Sequence, residues 1–348
     1  MEIADDLVEE ILKRLPLECM FRFRMVCRGW YRLLRELWAE AASKQPAILI
    51  CLPNANEGCL IYSFLTRKWR PLSLSFLPVP ECSINGCGAG LLLLDIPSMA
   101  ASWVCNPLTG TSFPLPALTF PLDVLSRWVV QGHNRGTYKV LLLGKKCSQD
   151  SIEVHGYNSV TNSWNKMGED YDLGGNSRAA QREETAFCNG FIFLMGTDNV
   201  VVFNIEDCRW NRVGMPAGAV VRNNIWPRLV CCGSFLLLVR LIKRAHVLED
   251  VIMWELCGEK QRGDVRWKEK GRMPEWVRGK LQRKWIECVG VGDYVCFRSH
   301  GSAEIVVYSL GEGTWQWLPK CTAAFINDSR SRSLAFQQIY SFPPLQHI

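Results

Sequence analysis

The chain has 348 residues, of which 48% are hydrophobic and 21% are charged, and its formal net charge is +6. This composition is typical of a folded globular protein and excludes a disordered one, while the length predicts two domains. The longest apolar runs are strand-length and the chain begins with acidic residues, so we expect neither a secreted nor a membrane-spanning protein.

The first 45 residues predict helices. Leu7, Val8, Ile11, Leu12 and Leu15 fall on one stripe of a 3.6-residue period, and Pro16 ends that helix. Two further helical stretches follow, around residues 20–25 and 30–37. Three helices this short have more apolar surface than they can bury alone, so we expect a partner to cover part of it.

From residue 46 onward, short apolar runs alternate with Gly, Pro, Asn and Ser, a texture typical of β-structure. An aromatic or polar anchor is followed seven residues later by Trp or Phe, and these units repeat about every fifty residues. The repeats predict a propeller of six blades, with the aromatic side chains in the core between blades. The anchor pairs are Tyr62/Trp69, Asn106/Phe113, Tyr157/Trp164, Phe203/Trp210 and Tyr308/Trp315, with Trp254/Trp267 as a pair of longer spacing.

The last segment predicts how this propeller closes. Ser333–Tyr340 reads as one more strand, and we expect it to complete the blade begun by Ala47–Leu52 and Cys59–Phe64. Pairing the two ends of the chain hides the sheet edges that an open array would expose.

No catalytic or metal-binding motif stands out. The sixteen cysteines are scattered without a C-x-x-C pair and the five histidines lie far apart, so we predict reduced core cysteines of an intracellular protein, no metal and no cofactor. The glycine-rich run 86–90 is followed by a strand-like segment, which favours a hairpin turn over a phosphate-binding loop.

Residues 260–284 contain ten Lys or Arg and three Asp or Glu. Their net charge of +7 accounts for the whole positive net charge of the chain. We expect this stretch to span the long turn of the fifth unit and the connection to the sixth. A solvated loop is the favoured interpretation, and recognition of an acidic or phosphorylated protein comes second, ahead of nucleic acid. The candidate target-binding residues are Arg266, Lys268, Lys270, Arg272 and Trp276.

Two segments resemble a known family. Residues 5–16 (Asp-Asp-Leu-Val-Glu-Glu-Ile-Leu-Lys-Arg-Leu-Pro) resemble the first half of an F-box, and residues 21–30 (Phe-Arg-Phe-Arg-Met-Val-Cys-Arg-Gly-Trp) resemble its second half. With the repeats that follow, the chain resembles the plant-type F-box/kelch-repeat proteins. The resemblance implies a mainly β protein with a small α module, namely a three-helix F-box in residues 1–45 and a kelch-like propeller in residues 46–348.

The resemblance also implies a function, that of a substrate adaptor in an SCF-type ubiquitin ligase. The F-box would dock on a Skp-type linker that bridges to a cullin, and the propeller would bind a protein targeted for ubiquitination and degradation. Nucleic acid and membrane partners are not expected, and the location would be cytoplasmic, nuclear or both. The positions that match the family's docking residues, for which core packing is the open alternative, are Leu7, Ile11, Leu12, Leu15, Pro16, Val26, Cys27 and Trp30.

Two alternatives stay open beside this non-enzymatic adaptor. One is a propeller enzyme related to the kelch-type copper oxidases such as galactose oxidase, which would need histidine ligands facing one funnel. The other is a kelch scaffold that no longer associates with a ligase.

Overall fold

The structure is a computed structural model that describes most of the chain from Gln45 onward and a few residues before it. Of those few, residues 7–8, 10–11 and 28–30 are helical and residues 26–27 are not, and the rest of the predicted helical module lies outside the described residues. The described residues are 7–8, 10–11, 26–30, 45–51, 59–64, 66–72, 74–77, 82–107, 110–119, 121–132, 134, 136–146, 151–173, 185–216, 218–219, 225–244, 247–259, 264–281, 286–299, 302–321 and 332–338.

Strands dominate the described part of the chain. The first twelve are β1 (Gln45–Cys51), β2 (Cys59–Ser63), β3 (Lys68–Pro71), β4 (Ser83–Gly88), β5 (Leu91–Ile96), β6 (Ala101–Asn106), β7 (Thr111–Pro114), β8 (Leu122–Gln131), β9 (Tyr138–Lys146), β10 (Ser151–Asn158), β11 (Ser163–Asp172) and β12 (Thr185–Cys188). The next twelve are β13 (Phe191–Met195), β14 (Asn199–Asn204), β15 (Arg209–Gly214), β16 (Ile225–Cys232), β17 (Phe235–Arg244), β18 (Val247–Glu259), β19 (Asp264–Arg272), β20 (Ile286–Val291), β21 (Tyr294–Ser299), β22 (Ile305–Ser309), β23 (Trp315–Trp317) and β24 (Arg332–Gln338). A 3₁₀ turn spans Pro97–Met99, and the short helix α1 spans Glu275–Arg278.

The strands form six antiparallel sheets of four, which are the blades of a six-bladed propeller, as predicted. Blade 1 has the order β24-β1-β2-β3, and blades 2 to 6 each take four consecutive strands from β4 onward. The inner strands β24, β4, β8, β12, β16 and β20 surround the axis, where neighbouring inner strands contact one another. The last strand of each blade lies at the rim.

The propeller closes as the sequence predicts. β24 lies beside β1 in antiparallel register, from Gln45 opposite Gln338 to Cys51 opposite Arg332. The blade that starts the propeller therefore contains the last strand in the sequence. This pairing leaves no gap between the first and last blades and covers the inner edge of β1.

The core lies between blades, in hydrophobic clusters that join each sheet to its neighbours. Strands that are covered on both faces carry continuous apolar runs, and Leu92, Leu93 and Leu94 of β5 are all fully buried. One face of β5 packs toward blade 1 and the other toward blade 3. The uniform apolar runs therefore follow from the stacking of blades.

In four of the six anchor pairs, the two members are cross-strand neighbours between the third and fourth strands of a blade. Each crosses a tight turn, and the ring centroids lie 4.7–5.4 Å apart. These pairs are Tyr62/Trp69, Tyr157/Trp164, Phe203/Trp210 and Tyr308/Trp315.

The members of the other two anchor pairs do not lie opposite each other. Phe113 lies opposite Val104, and Asn106 lies opposite Thr111, so the two members of this pair are two residues out of register. Trp267 lies opposite Leu256 rather than Trp254, because the β18–β19 hairpin is two residue pairs longer at its tip than the others. A spacing of seven or thirteen residues between the two members of a pair is compatible with more than one hairpin register. The spacing alone therefore does not show which residues lie opposite each other.

Rim tryptophans join four of the blades to the blade before them. The indole N–H of Trp69 donates to the carbonyl oxygen of Pro319 at 2.8 Å, and that of Trp164 donates to Pro116 at 2.9 Å. Trp210 and Trp267 repeat the arrangement in blades 4 and 5, with the oxygens of Glu169 and Gly214 at 2.8 and 2.7 Å. The indoles fill the wedge between blades and satisfy a main-chain acceptor there.

Glycine allows the inner strands to approach closely around the axis. A Cβ atom on Gly88 would lie 2.1 Å from the oxygen of Val129, and one on Gly290 would lie 2.1 Å from the oxygen of Cys231. The glycine-rich run is thus the end of β4 and the turn into β5, which confirms the predicted hairpin.

The strand directions define two faces of the propeller. We call the face on which β1 begins the entry face, because the chain arrives there at Gln45. In an antiparallel blade this face also carries the turns that join the first strand to the second and the third to the fourth. The opposite face, which we call the far face, carries the connections between blades, including α1.

The described cysteines are all free thiols, and eight of them are buried. No helix among the described residues is long and apolar enough to cross a bilayer.

Candidate partner-binding surfaces

The N-terminal docking positions that the structure describes are largely exposed. Leu7, Ile11 and Val26 are 60%, 43% and 58% exposed, whereas Val8, between the two helical docking positions, is buried. Leu7 and Ile11 are four residues apart and therefore share one helical face. Exposed apolar side chains grouped in this way are typical of an interaction surface.

Of the remaining docking positions, the structure describes only Cys27 and Trp30. Cys27 is exposed and its sulfur accepts a hydrogen bond from the main-chain N–H of Trp30 at 3.4 Å, while Trp30 itself is half-buried. Leu12, Leu15 and Pro16 lie outside the described residues.

The first part of the basic stretch is not the long turn that we expected, whereas its later part does lie in the connection to the sixth blade. Residues 264–272 form β19, the rim strand of blade 5, and 275–278 form α1 on the far face. The expectation was wrong because β19 combines charged side chains with a strand period, and its main-chain bonds to β18 decide the structure. At about 3.3 Å per residue, Arg266 near the entry face and Arg272 near the far face are about 20 Å apart.

A bulge in β19 also separates the candidate residues by sheet face. Arg266 and Lys268 lie opposite Cys257 and Glu255, on the face toward blade 6. The register shifts between Met253 and Trp254, and beyond it Arg272 lies on the face toward blade 4. The candidate residues therefore do not form one continuous surface.

Several of the cations in this stretch are neutralised within the fold. Lys270 pairs with Glu255 at 3.0 Å, and the Arg272 guanidinium donates to Glu269 at 2.7 Å, which lowers the pKa of that carboxyl. Arg278 of α1 lies 3.4 Å from Asp250.

Arg266 and Lys268 differ from these residues. Both are exposed, and no carboxylate of the described chain lies within 4.0 Å of either cation. Arg266 and Lys268 are thus the two cations of β19 whose charge is directed to solvent. Trp276 of α1 is 53% exposed, on the far face.

Ionic contacts between distant strands were not visible in the sequence. Arg127 on β8 pairs with Asp95 on β5, and that carboxylate also accepts hydrogen bonds from Asn85 and Ser102, both at 2.7 Å. The contact joins blades 2 and 3 near the axis. The four residues of this contact are 7–42 positions apart along the sequence, so only the fold brings them together.

A second network lies in blade 3. Lys166 contacts Asp170 and lies 3.4 Å from Glu153, and Lys146 lies 3.1 Å from Asp170. Hydrogen bonding to Lys166 lowers the pKa of Asp170, and the same bond raises the pKa of Lys166. His155 lies 3.1 Å from Glu153 on the same strand.

A small open pocket lies between blades 2 and 3 on the entry face. Its walls are mostly apolar or neutral, including Leu91, Val104, Phe113 and Tyr138. Burial raises the pKa of Tyr138, which keeps its hydroxyl protonated. Among the residues that the structure describes, no three His, Cys, Asp or Glu side chains are grouped so as to hold a metal ion.

Comparison with known proteins identifies the N-terminal segment. Residues 2–38 match the F-box domain family. The chain is also 27% identical to F-box only protein 6 of Arabidopsis thaliana over 345 residues, covering 92% of this chain and 70% of the relative. An Arabidopsis thaliana F-box/kelch-repeat protein is 22% identical, covering 92% and 84%. The chain carries an N-terminal F-box domain and is similar to plant F-box/kelch-repeat proteins over most of its length.

This F-box protein has a propeller where the family resemblance placed one. An F-box followed by a propeller is the architecture of substrate adaptors in SCF-type ubiquitin ligases, and the chain has that architecture. Among solved structures, a chain of a nidogen/laminin complex aligns with a TM-score of 0.45 at 10% identity, covering 78% of the F-box protein and 93% of that chain.

Proposed function

We propose that the protein is the target-recognition subunit of an SCF-type ubiquitin ligase. Its F-box docks on a Skp-type linker, the linker bridges to a cullin, and the propeller binds a protein that is then ubiquitinated and degraded. The observation that carries the proposal is the F-box match at residues 2–38 in a chain whose remainder closes into a six-bladed propeller.

The described geometry supports the docking step. Leu7, Ile11 and Val26 expose apolar area that a partner helix can cover, with each buried side chain contributing about 1.5–3 kcal/mol. Leu12, Leu15, Pro16, Cys27 and Trp30 complete the proposed docking set. Ubiquitin transfer is chemistry carried out by the partners, so the chain itself is non-catalytic, and it acts in the cytoplasm, the nucleus or both.

The propeller supplies the target-binding part. Loops on a rigid scaffold carry binding residues in many proteins, and here the connections between blades lie on the far face, away from the strand start at Gln45. Trp276 contributes an exposed aromatic side chain on that face. Large aromatic side chains are enriched among the residues that dominate protein interfaces.

The test is affinity purification of the full chain from cells in which the proteasome is blocked. We expect the linker and the cullin to co-purify with one or more accumulating proteins, and we expect those proteins to be lost with W276A. The matched control is F113A, which removes a ring that is 50% exposed but lies at the entry-face pocket. Absence of the linker from the purified complex would contradict the adaptor function.

A further inference from the structure

The rim strand β19 is longer than most rim strands of the propeller. It has nine residues, against four in β3, four in β7 and three in β23. It is the last strand of its sheet, so along its outer edge the main-chain N–H and C=O groups are not used by blade 5. Such an edge can pair with an added strand.

The same strand presents two cations with a spacing that suits strand pairing. Arg266 and Lys268 are two residues apart on one face, which places them about 6.6–6.8 Å apart along the strand. Alternate side chains of an added strand have this same spacing. Lys270 neutralises Glu255, the carboxylate opposite Lys268, so the face keeps its positive charge.

The other long rim strands differ in charge or in how their cations are used. β11 has ten residues, but its Lys166 is held by Asp170 and Glu153. On β15, Arg212 donates to the hydroxyl of Tyr171 and lies 5.3 Å above its ring. A long edge combined with two solvent-directed cations on one face is thus a property of β19.

We propose that β19 binds an extended acidic segment of a protein by strand addition, with alternate carboxylates of that segment facing Arg266 and Lys268. Main-chain hydrogen bonds to the outer edge hold the segment, and the two cations select for acidic side chains at every second position. As a description of the ubiquitination target, this inference rests on the proposed function.

The probe is a fluorescein-labelled eight-residue peptide of alternating glutamate and threonine, titrated into the full-length protein by fluorescence anisotropy. We expect saturable binding that R266E/K268E weakens by about tenfold or more, because two attractive charge contacts become repulsive. The matched control is K68E/R209E, which makes the same change of charge at exposed positions on β3 and β15 and should change affinity by less than about twofold.

Two further probes test the strand geometry. Methylation of the peptide nitrogens that would pair with β19 should abolish binding, since it removes the main-chain donors. A peptide with its glutamates in one block, and an oligothymidylate of equal charge, should both bind about tenfold more weakly than the alternating peptide.

Two results would overturn the inference. One is equal weakening by the two double variants, and the other is equal affinity for the alternating peptide and the oligothymidylate. Either result means that the protein attracts any polyanion. Linker binding is measured on the same samples. If the variants and the wild type bind the linker but not the peptide, the inference alone fails. If the peptide binds and the linker does not, the adaptor function fails and the strand-addition site stands.

Discussion

The carboxylate of Glu287 accepts a hydrogen bond from the main-chain N–H of Ser333 at 3.1 Å. Glu287 is on the inner strand of blade 6 and Ser333 is on β24, the strand that completes blade 1. The same oxygen is 3.0 Å from the guanidinium of Arg298, whose side chain is 1% exposed. The closure of the propeller therefore depends on one buried ion pair in addition to the β1–β24 register.

Removal of the Glu287 charge should destabilise the protein. Glu287→Gln removes the carboxylate charge beside the buried Arg298 guanidinium, and breaking a buried ion pair costs about 3–5 kcal/mol in the free energy of unfolding. The measurement is urea or thermal unfolding. The control is E287L/R298M, which removes both charges and should be closer to the wild type than E287Q is; equal stability of E287Q and the wild type would show that the pair is not needed.

Deletion of residues 330–348 should cause aggregation. Without β24, the edge of β1 is exposed, and β20 and β4 lose the strand between them. Size-exclusion chromatography with light scattering measures the effect. A truncated protein that is monomeric and has an unchanged melting temperature would contradict this role of β24.

Charges on the exposed F-box stripe should prevent linker binding without unfolding the protein. In L7D/I11D both substitutions are at exposed positions, so stability should change by about 1 kcal/mol or less, while binding loses several kcal/mol because two carboxylates enter an apolar contact. Isothermal titration calorimetry against the Skp-type linker checks this. The same loss is expected for L12D/L15D. Binding that survives both double changes would be inconsistent with docking at this stripe.

The rim indoles should contribute to stability through one hydrogen bond each. Trp164→Phe keeps an aromatic ring but leaves the carbonyl of Pro116 without its donor, at a cost of about 1–3 kcal/mol. The control is W276F, an exposed position where the change should stay within about 0.5 kcal/mol. Thermal unfolding of the two variants distinguishes them, and equal effects would argue against the inter-blade bond.

The ion pair of Asp170 should make part of the stability depend on pH. Its pKa is lowered in the folded protein, so its contribution is present above the ordinary value of 3.8 and is lost as the pH falls through the lower folded value. Because Lys166 is 42% exposed and solvent screens the pair, the effect is below about 1 kcal/mol. We expect the stability of D170N, measured from about pH 2 to about pH 6, to lack this part of the acid dependence.

The sequence by itself determined the repeating unit of this protein. Turns of four residues between apolar strands fix local hairpins, and four anchor pairs such as Tyr157 and Trp164 could be found because both partners belong to one hairpin. The closing strand was also predictable, since a propeller has one place for an unpaired terminal strand. The F-box was recognisable from contiguous residues, which carry their pattern independently of the fold.

Only the tertiary structure decided which side chains act together. The bulge near Met253 places Arg272 on a different sheet face from Lys268, although both belong to one basic run. The acceptors of the rim indoles lie 41–250 residues away, and Glu287 and Ser333 are 46 residues apart. Spacing along a chain specifies a strand's alternation, but register, bulges and contacts between blades depend on hydrogen bonds to residues that are remote in sequence.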